Sequence, residues 1–371
     1  MYRVARKRAD LLKMSLVTGA AMLAICLLAL VETTNTAEAK DSLPENGKIA
    51  FESIPPGRAG RIYTIEPDGS NVRQLTNLYG TPNPNLYGTA KWSPDGTRIL
   101  IGESEYTVMR ADGSNMRTID ARPPHIFEGV PTWSADGTSV AFSDYQLDMQ
   151  RGQSNDMDIF MLDLDTSKQT TLRRTPKLSE THVDFSPDGS QICFLHEDTE
   201  PETGLPIPGD KPFGIYVMDV HGSEPPRLLA EGSGETCDWS PDGKKIVLNT
   251  YGATSIINAD GSGRTDVLTG NTAANMNPAW SPDGTKIVFS SDRDGGDYDL
   301  YTMDTDGSDV AQLTNLPGGE YTPDWQPLTP KSRSMTVRQP DTGGPSLLWV
   351  AIALLFFSGG VLFYAGLKRR I

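Results

Sequence analysis

The sequence has few residues of the kinds that usually form metal sites or catalytic centres. Its 371 residues include three cysteines and four histidines. No histidines have the His-x-x-x-His or Glu-x-x-His spacing, and no Gly-x-Ser-x-Gly turn supplies an exposed nucleophile. These absences exclude the zinc-hydrolase and serine-hydrolase classes that depend on such motifs.

Positive charge is also scarce. The chain has 33 lysines and arginines against 48 acidic residues, a formal net charge of −15. Without residues 1–39 and those after Thr342, 25 basic and 45 acidic residues leave about −20. An acidic surface repels nucleic acid and anionic lipids and favours cationic partners, so we expect no nucleic-acid ligand.

Residues 1–39 predict a signal peptide. A basic start containing Arg3 and Lys13 precedes an apolar run over residues 16–31, which is short for a bilayer span. Ala37-Glu38-Ala39 fits the small-x-small cleavage rule, which places the mature start near Lys40. An uncleaved N-terminal anchor is the alternative.

A second apolar segment, residues 346–367, carries no charge and is long enough to cross a bilayer. The basic residues of the tail 368–371 follow it directly, and basic residues favour the cytoplasmic side. We therefore predict a single C-terminal transmembrane helix, with the preceding domain on the outer face of the cell.

A short motif precedes that segment, within a linker at residues 328–345. The sequence Gln339-Pro340-Asp341-Thr342-Gly343, followed by an apolar span and a basic tail, resembles the cell-wall sorting signal processed by sortases. The resemblance implies cleavage between Thr342 and Gly343, with Pro340 bending the substrate. Gln339 departs from the leucine of the commonest signal, and a plain membrane anchor is the alternative.

Between these ends, one tight turn recurs with aromatic residues at fixed offsets. In Trp280-Ser281-Pro282-Asp283-Gly284, proline fits the first corner of a type I turn and glycine the left-handed position after it. Related turns follow the aromatics of four further repeats, and a second turn, Asp-Gly-Ser, lies between them. The repeat aromatics are Trp92, Trp133, Phe185, Trp239, Trp280 and Trp325.

The spacing of these aromatics, roughly 40–55 residues, is typical of a four-stranded propeller blade. Lys48-Ile49-Ala50-Phe51 starts the domain without an innermost strand, whereas residues 321–325 form such a strand with nothing after it. Joining the two predicts an all-β, six-bladed propeller over residues 40–327, closed by the C-terminal strand. Closure removes exposed sheet edges.

The repeat block resembles the β-propeller repeat of the TolB family over roughly residues 46–327, best in the sixth blade. Similar repeats form the propellers of prolyl-oligopeptidase-like proteases. The resemblance implies a disc with a central channel that acts as a protein-binding platform. Insertions at residues 146–156 and 197–212 mark one rim as a second candidate binding face, or as tolerated surface loops.

Two cysteines remain outside the signal peptide, Cys193 and Cys237, in neighbouring blades. A disulfide is compatible with an oxidising compartment. The sequence nevertheless favours two small buried residues without a bond between them.

A set of polar residues precedes the innermost strands, four or five positions before the repeat aromatic. In a propeller these positions should gather around one mouth of the channel, where carboxylates would raise each other's pKa unless a cation neutralised them. The set predicts a site for Ca²⁺ or a Lys/Arg-bearing peptide; the alternative is a group of water-facing polar residues. Its members are Glu128, Glu180, Glu235, Asn275 and Glu320.

Another acidic stretch, Asp292 to Asp299, fails the EF-hand pattern because Gly296 stands at a ligand position, so we interpret it as a structural hairpin. No cofactor is required by the sequence, with Ca²⁺ as the one candidate. The favoured function is a surface-anchored, non-enzymatic propeller that binds envelope protein or polymer, with a sortase as a transient partner. The alternative is a lactonase-, lyase- or glycosidase-like propeller enzyme with carboxylates or Ca²⁺ at the channel mouth.

Overall fold

All regular structure in the described part of the chain is β-strand. The computed structural model describes residues 45–76, 88–102, 106–119, 130–145, 157–174, 179–197, 213–222, 224–232, 234–250, 253–268 and 273–328. Among these residues, no helix is long and apolar enough to cross a bilayer. The predicted signal peptide, sorting motif, transmembrane segment and the insertions at residues 146–156 and 197–212 lie outside them, except for Glu197, the last residue of a described strand.

The strands alternate with tight turns along the whole described region. In chain order they are β1 (Glu45–Ile54), β2 (Arg61–Ile65), β3 (Arg73–Gln74), β4 (Thr89–Trp92), β5 (Arg98–Gly102), β6 (Tyr106–Arg110), β7 (Arg117–Thr118), β8 (Thr132–Trp133), β9 (Ser139–Tyr145), β10 (Met157–Asp163), β11 (Gln169–Arg173), β12 (Ser179–Phe185), β13 (Gln191–Glu197), β14 (Gly214–Asp219), β15 (Arg227–Glu231), β16 (Gly234–Trp239), β17 (Lys245–Thr250), β18 (Ala253–Asn258), β19 (Thr265–Leu268), β20 (Asn275–Trp280), β21 (Lys286–Ser291), β22 (Asp299–Asp304), β23 (Ala311–Gln312) and β24 (Gly319–Leu328).

These strands form six antiparallel sheets of four, which we number as blades. Blade 1 has the order β24-β1-β2-β3, and blades 2 to 6 take β4–β7, β8–β11, β12–β15, β16–β19 and β20–β23 in turn. The last strand pairs with the first, with Ala50 opposite Asp324 and Glu45 opposite Leu328. The predicted six-bladed propeller and its closure by the C-terminal strand are both confirmed.

The repeated turn has the geometry that its residues dictate. In blade 2, the N–H of Gly96 donates to the carbonyl of Ser93 at 2.8 Å, and Gly96 adopts a φ of 66°. The hydroxyl of Ser93 donates to Asp95, which also accepts the N–H of Thr97 at 3.0 Å. The turn aspartate therefore fixes the turn itself, because it ties both sides of the corner together.

The hydrophobic core lies in the seams, the interfaces between adjacent blades. Val247 and Ile256 of blade 5 pack with Trp280, Ile287 and other residues of blade 6 in one buried cluster. The repeat aromatics are all buried, with exposed fractions of 4–8 %. Each blade is a two-sided sheet that buries both faces against its neighbours, so no blade can be stable alone.

Four innermost strands change register about three residues before their aromatics. At three of these bulges a residue other than glycine has a left-handed backbone: His182 (φ 53°), Asn277 (φ 51°) and Thr322 (φ 50°). Such a conformation is unusual for a β-branched residue such as Thr322. The bulges bend the innermost strands next to the propeller axis.

Cys193 and Cys237 form a disulfide, which corrects the expectation that they would be unpaired. Both are buried, on β13 of blade 4 and β16 of blade 5. The seam brings their Cα atoms to 6.4 Å, a distance that a disulfide can span. Sequence reasoning placed the cysteines in adjacent blades but could not show that their strands face each other.

Replacing both cysteines by alanine should lower the free energy of unfolding by about 2–4 kcal/mol, because the bond restricts the unfolded chain. The cysteines are 44 residues apart in sequence, so the closed loop is long. Urea unfolding of the oxidised protein and the double variant measures the effect. Reduced wild-type protein is the matched control and should lose a similar amount; equal midpoints for all three samples would contradict the prediction.

Candidate functional site

One residue from the innermost strand of each blade directly precedes the repeat aromatic, and because side chains alternate along a strand, it lies on the opposite face from that aromatic. In five blades this residue lines a cavity on the propeller axis, whereas Ala279 of blade 6 packs in the buried cluster between blades 6 and 1. We call the five the axial layer: Lys91, Thr132, Asp184, Asp238 and Asp324.

Lys91 reaches across the layer. Its Nζ lies 3.0 Å from Oδ1 of Asp324 in blade 1 and 3.7 Å from Oδ1 of Asp238 in blade 5. Blades 2 and 5 are opposite each other in a six-bladed ring, so the ammonium group bridges the axis. The three side chains are only 14–19 % exposed, and this layer therefore blocks the channel.

The carboxylates of the layer also join neighbouring blades. Oδ2 of Asp324 accepts the backbone N–H of Trp92 at 2.7 Å, and that of Asp238 accepts the N–H of Trp280 at 2.8 Å. Asp184 accepts the N–H of Trp239 at 3.1 Å. In each case the acceptor lies in one blade and the donor in the next. The aspartates thus satisfy backbone donors that would otherwise be buried without a partner.

Crowding of charge in this enclosed layer changes its ionisation. Burial raises the pKa of Asp238 to about 8, against the lowering effect of Lys91 and with a further rise from Asp184. Burial likewise raises the pKa of Asp184, although Lys91 opposes the shift. Burial alone would lower the pKa of Lys91, but the carboxylates of Asp324, Asp238 and Asp184 outweigh it and raise the pKa. At neutral pH the layer therefore holds the ammonium group of Lys91 and a largely protonated Asp238.

The free energy of unfolding should fall by about 1–3 kcal/mol between pH 5 and pH 8, because folded Asp238 keeps a proton that the unfolded chain has released. The folded pKa of about 8 lies above the ordinary 3.8, so stability is lost as pH rises through this window. Asp238→Asn should flatten the pH profile of urea midpoints. Part of the slope should remain, since burial also raises the pKa of Glu320 to about 8. An unchanged slope in the variant would contradict the assignment.

Two cavities lie along the axis, one on each side of this layer. The larger, about 330 Å³, is on the side of the repeated turns; we call it the turn-side cavity. The smaller, about 30 Å³, faces the strand starts and has room for about one or two waters. Lys91, Asp184 and Asp238 line both cavities. The repeat aromatics form the wall of the turn-side cavity, which makes it an apolar funnel with a charged floor.

The smaller cavity is lined by the three bulge residues with a left-handed backbone, His182, Asn277 and Thr322. The Nδ1 atom of His182 lies 3.0 Å from the hydroxyl of Thr181, and burial lowers the pKa of His182 to about 4. This histidine is therefore neutral at physiological pH. It adds no positive charge to the layer beside it.

The residues predicted from the strand starts lie elsewhere. Glu180 is fully buried, 3.3 Å from Nε of Arg173 and 3.8 Å from Nδ1 of His196. Glu320 is fully buried and accepts the hydroxyl of Ser53 at 3.0 Å. Each is held by partners of its own in or beside a seam, and neither lines either cavity.

Asn275 accepts the hydroxyl of Ser291 at 2.8 Å and the guanidinium of Arg293 at 3.1 Å, and it also lies outside both cavity linings. The backbone of Glu235 lies in β16, but its side chain is not described, and Glu128 lies outside the described residues. Ligand binding by this set of five stays a prediction.

Sequence reasoning missed the axial layer, although a signal was present. Three repeat aromatics are preceded by aspartate and one by lysine. Because side chains alternate along a strand, these charged residues share the face opposite the aromatics, and on innermost strands such residues can meet near the axis. The residues predicted from the sequence, such as Glu180, lie five positions before the aromatic, on the far side of the bulge. Beyond the bulge, the alternation of side chains no longer predicts which way a side chain points.

The acidic hairpin at Asp292 is held by hydrogen bonds. Asp292 accepts the N–H of Ala274 at 2.7 Å, and Asp294 accepts the hydroxyl of Tyr301 at 2.5 Å. These bonds agree with a structural role. In the described residues, no three His, Cys, Asp or Glu side chains converge closely enough to hold a metal ion.

Comparison with known proteins agrees with this architecture. The family model described as the TolB beta propeller domain (PD40) matches residues 238–342. An uncharacterised protein of Agrobacterium fabrum is 29% identical over 292 residues, which are 74% of this chain and 92% of that protein. The uncharacterised peptidase YuxL of Bacillus subtilis is 31% identical over 176 residues, 47% of this chain but only 23% of that protein.

Among solved structures, TolB from Acinetobacter baumannii is similar in fold, with a TM-score of 0.61 at 21% sequence identity. The match covers 77% of this chain and 68% of that one. The described residues therefore form a six-bladed β-propeller whose fold is similar to that of TolB, and part of the chain matches the TolB propeller model.

Proposed function

We propose that this protein is a non-enzymatic propeller, held on the outer face of the cell by its C-terminal segment, that binds a protein or polymer of the envelope. The axial layer carries the proposal. Its carboxylates accept backbone N–H groups between blades, and Lys91 blocks the channel behind them. The charged groups thus hold the disc together, and the turn-side cavity is left as an open surface for a partner.

An extracytoplasmic location has independent support. Disulfides persist in oxidising compartments, and Cys193 and Cys237 are bonded across a seam. The predicted signal peptide and the apolar segment 346–367 with its basic tail point to the same side of the membrane.

The mode of anchoring is tested by intact-mass analysis of the native protein after cell fractionation. A sortase product should end at Thr342 with an envelope fragment attached, and Thr342→Ala should abolish that product. A plain anchor should retain residues 346–371 and be unaffected by Thr342→Ala. Release of an unmodified ectodomain into the medium would contradict anchoring of either kind.

Partner binding is tested by photo-crosslinking in intact cells. A photoreactive amino acid replacing Ala135, which lines the turn-side cavity, should give a discrete crosslinked species. The matched control replaces Arg58, an exposed residue of the β1–β2 loop, on the opposite side of the disc. Equal crosslinking from both positions, or none from Ala135, would contradict a binding face on the turn side.

The five residues at the strand starts are a separate proposal for a Ca²⁺ or peptide site. Replacing Glu128, Glu180 and Glu320 by glutamine should weaken Ca²⁺ binding measured by calorimetry and leave the fold intact. Because Glu180 and Glu320 are buried and hydrogen-bonded, a loss of stability with unchanged Ca²⁺ affinity would assign them a purely structural role.

An enzyme is the second candidate, and Asp238 is the observation in its favour. A carboxyl group with a pKa near 8 at the floor of a cavity resembles a general acid. Its bond to the N–H of Trp280 argues for a structural role instead. Asp238→Asn separates the two candidates, since it should abolish any lactonase, lyase or glycosidase turnover but retain crosslinking at position 135.

A further inference from the structure

The floor of the turn-side cavity has more carboxyl groups than cations. Asp184, Asp238 and Asp324 face a single ammonium group, that of Lys91. Lys91 makes its ion pairs with Asp324 and Asp238. Asp184 instead accepts the hydroxyl of Thr132 at 3.0 Å and the N–H of Trp239. The neighbouring His182 is neutral and supplies no compensating charge.

The wall of the cavity suits an aliphatic chain. It is formed by the six repeat aromatics, Trp92, Trp133, Phe185, Trp239, Trp280 and Trp325, and by prolines of the turns. The volume of about 330 Å³ is at the lower end of the range for small-ligand sites. A ligand with an apolar stem and a cationic head would match both the wall and the floor of the cavity. Long cationic side chains bury their aliphatic stem against apolar surface while the charged head interacts with a polar or aromatic partner.

Lys91 shows that these carboxylates accept a primary ammonium group, since its Nζ lies 3.0 Å from Asp324 within the same layer. A metal ion is the poorer match, because among the described residues no three ligating side chains converge on one point.

We propose that the turn-side cavity binds a primary ammonium group on an aliphatic stem, as carried by a lysine side chain of the envelope partner. This group would join Lys91 in neutralising Asp184 and Asp238. The inference names the chemistry of the ligand and rests on the proposed binding function.

Binding of the cation should be coupled to release of a proton. The ammonium group interacts with ionised carboxylates, whereas burial raises the pKa of Asp184 and raises that of Asp238 to about 8, which favours the protonated forms. The groups that face them are Lys91, Asp324, Thr132 and the neutral His182. Affinity should therefore rise by about tenfold or more from pH 6 to pH 9.

The probe is n-butylammonium, with n-butanol as its neutral counterpart of similar size. Five of the six tryptophans line the cavity, so tryptophan fluorescence of the full chain reports occupancy. The expected result is a saturable change with n-butylammonium, weaker at pH 6 than at pH 9, and at least tenfold weaker binding of n-butanol. Equal responses to the two probes would overturn the proposal.

Variants of the layer give opposite expected results. Asp184→Asn should weaken n-butylammonium binding at least tenfold, because it removes one of the proposed carboxylates. Lys91→Met should strengthen it at least tenfold, because the internal competitor is lost. Asp304→Asn, which removes the same charge on the turn side but outside the cavity, is the matched control and should not change affinity. Either layer variant binding like wild type would overturn the proposal, and the opposite signs make a general loss of folding recognisable.

The experiments distinguish failure of the proposed binding function from failure of the proposed ammonium site. Crosslinking from position 135 without any n-butylammonium binding would leave the platform function and reject the ammonium site. Binding of n-butylammonium without crosslinking would support the site and reject the envelope partner.

Discussion

Replacing Lys91 by methionine is expected to lower the free energy of unfolding by about 3–5 kcal/mol, because it leaves buried carboxylates without their cation. Methionine keeps most of the apolar stem, so the lost charge dominates the effect. Lys91 Nζ lies 3.0 Å from Asp324 and 3.7 Å from Asp238, and all three side chains are largely buried. Urea unfolding at pH 7 measures the change.

The loss should depend on pH and on the partners of Lys91. It should be larger at pH 9 than at pH 6, because at low pH the carboxyl groups take up protons in place of the missing ammonium group. Asp238→Asn in the Lys91→Met background should recover part of the stability, which a double-mutant cycle quantifies. A loss below about 1 kcal/mol that is independent of pH would show that Lys91 is not the counter-ion of the layer.

Truncation that removes β24 is expected to abolish the folded domain. A chain ending at Gly319 loses the strand that pairs with β1 and contacts both β20 and β4. It also loses Trp325, which packs with Ile49, Phe51 and Val288 in a buried cluster. The remaining blades would form an open ring, in which the edge of β1 is unpaired and the apolar seam beside it is exposed. Both features favour aggregation.

The matched control is a chain ending at Leu328, the last residue of β24, which should unfold cooperatively like the longer protein. Size-exclusion chromatography and thermal unfolding distinguish the two chains. Trp325→Ala is a milder change than the truncation and should lower the free energy of unfolding by about 3–5 kcal/mol. A monodisperse, cooperatively folding product from the chain ending at Gly319 would contradict ring closure as a requirement for stability.

Much of the architecture could be predicted from the sequence because the repeated turn uses residues with narrow backbone preferences. Proline, aspartate and glycine at fixed offsets from an aromatic specify a corner, as the bonds around Ser93, Asp95 and Gly96 show. The first blade lacks an innermost strand in the sequence, and the C-terminal end of the domain has one strand too many. Closure by β24 accounts for both, and β24 does pair with β1.

The site was harder to predict because it depends on contacts between distant blades. Lys91 and Asp238 meet only because blades 2 and 5 lie opposite each other, and nothing in the local sequence of either residue indicates a partner. The disulfide has the same origin, since the distance between Cys193 and Cys237 is set by the packing of a seam. Glu180 was expected at a channel mouth, but its strand bulges between it and Phe185, and its carboxylate is held by Arg173 and His196.

The pairing of β1 with β24 has a consequence for export. If the signal peptide directs the chain across the membrane from its N-terminus, β1 arrives first and its final partner arrives last. Until then the edge of β1 and the apolar faces of blades 1 and 6 lack their native cover. We therefore expect the nascent domain to need a holding chaperone during translocation, and to become resistant to protease in one late step when β24 has crossed.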